Sequence, residues 1–334
     1  MVYIYKKKVR NKNYYYLRAS KRKDKKILVK DIAYLGNNIE DVKKSIEELP
    51  KYKNEIRKTY KTINNFLESN RYIEKIKKFK IKKDNFLKEK LTEIEACKYH
   101  FVKEFKKQNK LTRNEIWKNF IIEFAFNTTS IEGNTINLLE TKELLENEKT
   151  PKNKTLREIY DLKNTEKVFY KIINLKDKLE LSNDFIIDIH KELVENIDKR
   201  IGYRTQDIRV IKSNFKATPP PYVKTDMDLL LNWYNKNKEK LNPFVLASIL
   251  HHKFEKIHPF MDGNGRTGRI LLNYVLLKNN YPPLIIKSKN KEDYLHSMRI
   301  ADKSKFSKSE EKDYLQLMQF FSNEMINNYW NIFL

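Results

Sequence analysis

The chain has 334 residues, of which 40% are hydrophobic and 34% charged, a balance typical of a charge-rich, mainly α-helical globular protein. It carries 69 Lys and Arg against 44 Asp and Glu, so its formal charge of +25 favours acidic partners, unless the excess only reflects a lysine-rich proteome. Because Cys97 is the single cysteine, an intramolecular disulfide is excluded. No apolar run approaches the roughly 20 residues of a membrane span, so no membrane partner is predicted.

Residues 1–36 are predicted to form a small basic β-rich module. Three β-branched and aromatic runs alternate with polar turns and predict an antiparallel meander closed at Gly36; the runs are Val2–Tyr5, Tyr14–Leu17 and Ile27–Val29. The first run is too short, and lies on the wrong side of its lysines, for a secretory leader, which makes the cytoplasm the expected location. A face rich in Lys, Arg and Tyr leaves two roles open, a nucleic-acid surface or a docking appendage.

Residues 37–110 are predicted to form a charged helical arm or linker. Apolar residues recur at helical spacing in two stripes, one through Ile56, Ile63 and Leu67 and one through Leu91 and Ile94. No Gly or Pro follows Pro50 in this region, which favours one or two long helices. A solvated charged face accounts for the lysines without a ligand.

Residues 111–180 are predicted to contain three or more helices. Thr112 and Glu115 have the spacing of a capping box and predict the start of the first helix, which is expected to stop near Gly133. Further helices follow, with a break near Pro151 to Lys154.

Residues 181–334 are predicted to be helical around one irregular stretch. Ser182 is expected to begin a helix over 182–200, and Asn242 followed by Pro243 to begin a buried one. Between them, residues 202–223 are irregular and include a short strand-like run from Ile208 to Ile211. Helices over 225–239 and 265–279 are also predicted.

The stretch from His258 to Arg269 combines an imidazole, a carboxylate, a Gly-Asn-Gly turn and two arginines. Gly263 and Gly265 tolerate left-handed backbone, so N–H groups can point into one concavity, and the free N–H groups of the following helix add to it. Arg266 and Arg269 lie three residues apart and can flank this concavity on one helix face. The pattern predicts a cradle for phosphates.

Asp262 lies one residue before this cradle, where a carboxylate would repel phosphates unless a cation such as Mg²⁺ bridged the two. His258, with an ordinary pKa of about 6.5, can accept a proton at neutral pH. His251 and His252 diverge by about 100° on a helix and are interpreted as packing residues rather than metal ligands.

The same twelve residues resemble the signature of Fic-domain proteins, His-x-Phe-x-(Asp/Glu)-Gly-Asn-Gly-Arg-x-x-Arg, and match it at every constrained position. The resemblance extends over roughly residues 110 to 320. It implies a helical core with a short β-hairpin flap, so that the chain has a mainly α fold with an N-terminal β-meander and a long helical segment. It also implies a protein adenylyltransferase, which moves AMP from ATP to a Ser, Thr or Tyr hydroxyl of a protein and releases pyrophosphate.

The resemblance also implies a role for each motif residue. His258 would be the base for the incoming hydroxyl, and Asp262 would hold Mg²⁺ between the α- and β-phosphates of ATP. Asn264 would stabilise the α-phosphate together with the N–H groups of Gly263 and Gly265. Arg266 would bind the outgoing phosphates and Arg269 the γ-phosphate.

A second motif, from Thr128 to Gly133, resembles the inhibitory pattern (Ser/Thr)-x-x-x-Glu-(Gly/Asn) of the Fic class whose inhibitory helix precedes the catalytic motif. Glu132 would then pair with Arg269 and occupy the place that the γ-phosphate needs, leaving ATP misaligned. In some relatives the same glutamate aligns a water that removes AMP from the target, and the sequence leaves both roles open.

The resemblance suggests two further contacts. Ile208, Arg209, Val210 and Ile211 align with the family's flap, whose edge can hold an extended target segment, although an ordinary surface loop is the alternative. Tyr294 and Asp302 align with the adenine pocket. Because Asp302 lacks the amide donor that some relatives have there, the nucleotide preference stays open.

Three functions therefore remain open. The leading hypothesis is an autoinhibited, Mg²⁺-dependent adenylyltransferase that acts on ATP and a protein target, which includes a second copy of this chain. The second is a Fic enzyme with another reaction: removal of AMP, transfer of another nucleotide or phosphoryl transfer, for which relatives usually have Lys in place of Gly265. The third is a nucleic-acid-binding regulator with an idle Fic core. A homodimer is left open in each case.

Overall fold

The computed structural model describes residues 1–10, 12–23, 26–175, 179–208, 216–306 and 309–334. Over these ranges the chain forms one three-stranded sheet at its N-terminus and thirteen α-helices. The mainly α fold expected from the sequence is therefore confirmed. Among the described helices, none is both long and apolar enough to cross a membrane.

The N-terminal meander is present as predicted. Its strands β1 (Val2–Val9), β2 (Lys12–Lys23) and β3 (Lys26–Gly36) pair antiparallel in the order β1-β2-β3. Side chains alternate between the two faces, and one face is buried; it carries Val2, Ile4, Tyr15, Leu17 and Leu35. The β2–β3 ribbon continues past the end of β1, because β1 pairs only as far as Ala19.

Three helices cover the buried face of the sheet: α1 (Ile39–Glu47), α2 (Lys53–Lys58) and α3 (Tyr60–Lys77). Asn38 caps α1 by accepting the Asp41 N–H at 2.9 Å. Val42, Ile63 and Leu67 pack with the sheet residues into one small hydrophobic cluster.

The region 37–110 does not form one or two long helices, since it contains four, the last being α4 (Lys90–Lys103). Between α3 and α4 the Asp84 carboxylate accepts the N–H groups of Phe86 and Leu87, both at 2.9 Å. Helix α3 ends at Lys77 without Gly or Pro, so the apolar periodicity did not reveal the break, and this side-chain turn shapes the connection to α4. Ile94 of α4 is completely buried in the main hydrophobic core.

This position of α4 leads to a stability prediction. Ile94→Ala should lower the free energy of unfolding by about 2–5 kcal/mol, because the substitution leaves a cavity in a packed core. Chemical denaturation of the full chain measures the change. Leu111→Ala is the control, since Leu111 is 74% exposed and its loss should cost under about 0.5 kcal/mol. An Ile94→Ala variant as stable as this control would place α4 outside the core.

Nine helices complete the described chain. They are α5 (Lys110–Ile131), α6 (Leu138–Asn147), α7 (Leu156–Asn174), α8 (Asn183–Leu193), α9 (Val223–Asn237), α10 (Pro243–Ile257), α11 (Asn264–Lys278), α12 (Lys291–Ala301) and α13 (Glu311–Ile332). One-turn 3₁₀ helices lie at Pro50–Tyr52, Phe105–Lys107, Pro220–Tyr222 and Ser288–Asn290.

The predicted helix starts are mostly confirmed. Ser182 and Asn242 are the N-cap residues of α8 and α10, although α8 ends at Leu193 rather than near residue 200. The predicted start at Thr112 is wrong, because Asn109 caps α5 and its side chain accepts the Thr112 N–H at 2.9 Å. Asn and Thr are both good caps, and the one that lies three residues earlier forms the contact.

Helices α10 and α11 pack against each other at the centre of the main core. Leu246, Ile249 and Phe254 of α10 are buried, as are Ile270 and Leu271 of α11. The loop between the two helices carries the His258–Arg269 motif, so a tightly packed pair of helices fixes both of its ends.

Candidate active site

His258 ends α10 in a left-handed conformation, with φ +53° and ψ +61°. Its N–H donates to the Phe254 carbonyl at 3.0 Å, and its own carbonyl accepts from Arg204 Nε at 2.8 Å. The Arg204 N–H also donates to the Pro259 carbonyl at 2.9 Å. A non-glycine residue at positive φ is uncommon, and the buried Arg204 holds this backbone in place.

The His258 side chain is neutral at physiological pH. Nδ1 lies 3.3 Å from the Glu255 carbonyl oxygen, and the side chain is 22% exposed. Burial lowers the pKa of the imidazole, against the opposing effect of that carbonyl contact. Because Nδ1 faces a carbonyl, we place the imidazole proton on Nδ1 and the accepting lone pair on Nε2.

Glu255 is a buried carboxyl group beside this histidine that the sequence did not single out. Its Oε2 lies 3.9 Å from His258 Nδ1, and its buried Oε1 has no hydrogen-bond partner among the described residues. Burial raises the pKa of Glu255 to about 8, against the pull of Arg269. The group is therefore mostly protonated at neutral pH and adds no full negative charge next to His258.

The loop after His258 is held by its own Asn264. The Asn264 Oδ1 accepts the Phe260 N–H and its Nδ2 donates to the Phe260 carbonyl, both at 2.8 Å. The Phe260 ring stacks on His190 with ring centroids 3.6 Å apart, and His190 Nε2 lies 3.0 Å from the Asp262 carbonyl. The Asn264 side chain thus shapes the loop, a role beyond the phosphate contact that the resemblance implied.

Gly263 allows the turn from this loop into α11, since it has φ +73° and is the N-cap of the helix. The first N–H bonded within the helix is that of Thr267, which donates to the Gly263 carbonyl at 3.0 Å. The three N–H groups before it lie at the positive end of the helix dipole and can bind an anion. A Cβ at Gly265 would collide with Glu132 Oε1, so glycine lets a carboxylate approach this helix end.

Glu132 is the C-cap of α5, which ends there because Gly133 adopts φ +101°. Its Oε1 accepts a hydrogen bond from Arg269 Nη2 at 2.6 Å, and its Oε2 lies 3.5 Å from Arg266 Nε. Burial opposes the charge, but Arg269 and Arg266 outweigh it and the pKa of Glu132 is lowered. The carboxylate is therefore ionised and lies against both arginines of the predicted phosphate cradle.

Arg269 is almost fully buried and is bound from three sides by the end of α5. Besides Glu132, its Nε donates to Thr128 Oγ1 at 2.6 Å and its Nη2 to the Thr128 carbonyl at 3.0 Å. All three residues of the predicted inhibitory motif thus have a structural role: Thr128 and Glu132 bind Arg269, and Gly133 ends the helix.

Arg266 is 2% exposed and lies among three carboxylates. Its Nη1 pairs with Asp161 of α7, its Nη2 lies 3.7 Å from Asp262 Oδ1, and its Nε is next to Glu132. Burial raises the pKa of Asp161 to about 6, against the pull of Arg266 and Arg157. Among the described residues Arg266 Nε has no hydrogen-bond partner, which leaves a buried donor in the cradle.

Asp262 is 24% exposed and accepts hydrogen bonds at both oxygens. Oδ1 accepts the Gly263 N–H at 2.7 Å, and Oδ2 pairs with Arg157 Nη2 from the first turn of α7. No group of three potential ligands occurs among the described residues. A single carboxylate fits Mg²⁺ carried by a nucleotide, since this ion takes one or two carboxylates together with phosphate oxygens and water. The ion would have to displace Arg157.

The remaining predicted site residues differ in position. Arg209, Val210 and Ile211 of the flap lie outside the described residues, and Ile208 precedes them in an irregular segment. Tyr294 is buried, with its hydroxyl 2.7 Å from His251 Nε2, and Asp302 Oδ1 lies 3.0 Å from His252 Nε2. The two histidines therefore make contacts with the predicted adenine-pocket residues.

Three contributors to the site, Arg157, Asp161 and Arg204, could not have been identified from the local sequence. Arg157 and Asp161 lie four apart on α7, so both point toward the motif from one helix face. The only local signal was the capping box of Thr155 and Glu158, which starts that helix.

Part of the chain is similar to known proteins. Residues 180–276 match the Fic/DOC family. The chain is 29% identical to protein adenylyltransferase fic-1 of Caenorhabditis elegans over 184 residues. This aligned segment covers 54% of the present chain and 36% of the fic-1 protein. It is also 29% identical to protein adenylyltransferase Fic of Drosophila grimshawi over 188 residues, which cover 55% and 39%. The match thus spans well under half the length of these relatives.

A solved structure extends the similarity to the fold. The crystal structure of a Fic domain-containing signaling protein from Bacteroides thetaiotaomicron superposes with a TM-score of 0.64 at 28% identity, covering 70% of this chain and 93% of that one. This coverage exceeds the matched family segment, so the similarity of fold extends beyond residues 180–276.

Proposed function

We propose that this chain, of which residues 180–276 match the Fic/DOC family, transfers AMP from ATP to a hydroxyl group of a protein, with release of pyrophosphate, and that Glu132 restrains the reaction. The observation that carries the proposal is the position of the Glu132 carboxylate. It binds Arg269 at 2.6 Å, next to the N-terminus of α11. A site that holds a carboxylate between two arginines and a helix N-terminus is suited to phosphate groups.

The buried cations support a triphosphate rather than a single phosphate. Arg266 and Arg269 approach the cradle from one face of α11, and Arg266 Nε has no hydrogen-bond partner within the described structure. Two guanidinium groups and the helix end provide three anion-binding elements in a row. Glu132 and a terminal phosphate compete for Arg269, so ATP binds productively only when Glu132 moves away.

In the proposed reaction His258 is the base that activates the nucleophile. The hydroxyl oxygen of the target forms a bond to the α-phosphorus while the bond between that phosphorus and the oxygen of the leaving pyrophosphate breaks. The hydroxyl proton passes to the neutral His258 imidazole, whose lowered pKa keeps it unprotonated at pH 7. The N–H groups at the start of α11 stabilise the charge that develops on the α-phosphate.

Asp262 would hold Mg²⁺ together with the nucleotide phosphates, and the ion would neutralise phosphate charge as pyrophosphate leaves. Arg157 takes the place of that cation on Asp262 in the structure. The remaining work falls to residues of the chain: Arg266 and Arg269 orient the phosphates, and Asn264 keeps the loop in shape through Phe260.

Incubation of the full chain with radiolabelled ATP and Mg²⁺ tests the proposal. With α-³²P-ATP the label should transfer to protein, first to the chain itself and then to added candidate targets, and it should be released as AMP by phosphodiesterase. With γ-³²P-ATP no label should transfer. Transfer of the γ-label instead would establish phosphoryl transfer and reject the adenylyl reaction.

Arg157 leads to a prediction about the metal. Arg157→Gln should tighten Mg²⁺ binding to the complex with a non-hydrolysable ATP analogue by up to about 5-fold, because a half-exposed ion pair of this kind contributes at most about 1 kcal/mol. Isothermal titration with magnesium chloride measures the change without any turnover.

The matched control is Arg71→Gln, which removes an arginine of similar exposure that is paired with Glu68, far from the motif in sequence. It should leave the titration unchanged. If Arg157→Gln weakened Mg²⁺ binding instead, Arg157 would be a phosphate contact rather than a competitor of the cation.

A further inference from the structure

The N-terminal sheet has one face that no hydrophobic cluster uses. Register pairs place Tyr5, Tyr16 and Tyr34 in one row across β1, β2 and β3, since partners directly opposite in an antiparallel sheet point to the same side. Tyr3 and Tyr14 pair with Arg18 and Lys7 on the same face. We call this surface the tyrosine face; it consists of Tyr3, Tyr5, Lys7, Tyr14, Tyr16, Arg18, Arg22 and Tyr34.

The contacts within this face agree with the register. The rings of Tyr16 and Tyr34 have centroids 5.5 Å apart, and the Arg18 guanidinium lies 3.5 Å from the centre of the Tyr5 ring. Tyr34 is 55% exposed, although tyrosine usually buries much of its ring. Tyr14, Tyr16 and Tyr34 therefore form a connected aromatic layer, in which Tyr34 is exposed and the other two rings are half-buried.

Packing does not explain this layer. The opposite face of the sheet supplies the hydrophobic core, through residues such as Ile4 and Leu17, and helices α1 to α3 contribute to that side. None of the five tyrosines of the tyrosine face belongs to either the small or the main core cluster. Aromatic pairs add some sheet stability, but they would add more in the core.

Charge indicates the kind of partner. Residues 1–36 contain twelve Lys or Arg and two Asp. Asp31 lies opposite Arg18 in register and is already paired with it at 2.6 Å, which leaves Lys7 and Arg22 as positive charges of the tyrosine face. The other face of the β2–β3 ribbon adds exposed lysines at positions 21, 23, 26 and 30. The surroundings of the aromatic layer are thus strongly positive.

We propose that the tyrosine face binds single-stranded RNA. Unpaired bases stack on open aromatic rings whatever their sequence, and flanking Lys and Arg side chains contact the phosphates. Adjacent strands lie about 4.8 Å apart, so the row formed by Tyr34, Tyr16 and the Arg18 guanidinium on Tyr5 can receive successive bases, because bases stack on guanidinium planes as well as on aromatic rings. A duplex hides its base faces and does not fit this layer. Tyrosine hydroxyls both donate and accept hydrogen bonds, as recognition of the ribose 2′-hydroxyl requires, and this favours RNA over DNA.

Fluorescence anisotropy of the full chain with a labelled twelve-nucleotide oligo(U) tests the proposal at about 50 mM salt. Binding should weaken with rising salt, and Tyr34→Ala should weaken it by about 5-fold or more, because one stacked base is lost. Tyr34→Phe keeps the aromatic ring, so its loss of affinity for oligo(U) should be less than half of the loss caused by Tyr34→Ala. Tyr60→Ala is the matched control, since Tyr60 is 64% exposed but lies outside the sheet, and it should bind as the unchanged chain does.

Several binding results would contradict the proposal. No binding of oligo(U) at 50 mM salt rejects it, and so does an unchanged affinity of Tyr34→Ala. Tighter binding of oligo(dT) would overturn the assignment to RNA. Equal competition by poly-glutamate would indicate an acidic protein, and equal binding of a twelve-base-pair duplex would indicate recognition through charge alone. None of these results depends on AMP transfer.

Discussion

Replacing Glu132 with glycine should raise the rate of AMP transfer by about 100-fold, the scale of rate change expected when a misplaced reacting group regains its position. Glu132 Oε1 is 2.6 Å from Arg269 Nη2, and its Oε2 is 3.5 Å from Arg266 Nε. Both arginines would contact phosphates in the proposed reaction, so loss of the carboxylate removes one competitor from each of them, although Arg266 keeps its pair with Asp161. The initial rate of label incorporation from α-³²P-ATP measures the effect.

The restraint should hold at all physiological pH values. Burial opposes ionisation of Glu132, but Arg269 and Arg266 hold its pKa below the usual value. A carboxylate with a depressed pKa keeps its ion pair above the unfolded pKa of about 4.3 and loses it only as the pH falls through the folded value. Transfer by the unchanged chain should therefore stay low between pH 6 and pH 8 rather than rise toward acid.

Two variants make this result interpretable. Glu132→Gln keeps the size of the side chain and removes its charge, so it should also raise transfer and does not open a cavity beside buried Arg269. Glu148→Gly alters another helix C-cap, at an exposed residue with positive φ, and should change nothing. If Glu132→Gly left transfer unchanged, autoinhibition would be wrong. If it instead abolished AMP release from labelled protein, Glu132 would serve the removal reaction.

The His258–Arg269 motif could be predicted from the sequence because its functional residues lie in one continuous segment. The turn at Gly263, the helix start at Asn264 and the spacing of Arg266 and Arg269 all follow from local rules of backbone conformation and helix period. The contact between Glu132 and Arg269 came from a family pattern and not from local physics. Its two partners lie 137 residues apart, and only packing of α5 against α11 brings them together.

The contacts that local rules missed are all tertiary. Arg157 and Asp161 reach the motif from α7 and Arg204 from the segment after α8, and the local rules of helix period and capping assign none of them to the site. The break between α3 and α4 was missed for a different reason. Helix α3 ends at Lys77 with no Gly or Pro to mark its end. The Asp84 carboxylate then accepts two backbone N–H groups in the connection to α4, a role that an aspartate in a lysine-rich segment does not reveal.

Replacing His258 with alanine in the Glu132→Gly background should lower AMP transfer by about 10²- to 10⁴-fold, the contribution typical of a general base. The imidazole is the proposed acceptor of the target's hydroxyl proton, and its backbone position is fixed by Phe254 and Arg204. Nucleotide binding should persist, since the arginines and the helix N-terminus remain. A comparison of transfer rate with ATP affinity therefore separates loss of the base from loss of the site.

The pH profile of the Glu132→Gly protein gives an independent measure of the same group. Burial lowers the pKa of His258, so the imidazole protonates, and the rate falls, only at pH values below its ordinary value of about 6.5. The residual rate of the variant that also carries His258→Ala should not show this decrease toward acidic pH. His296→Ala, which removes an exposed histidine of α12, should keep both the rate and the decrease. A full rate without His258 would mean that another group accepts the proton, and the motif would then serve only to bind the nucleotide.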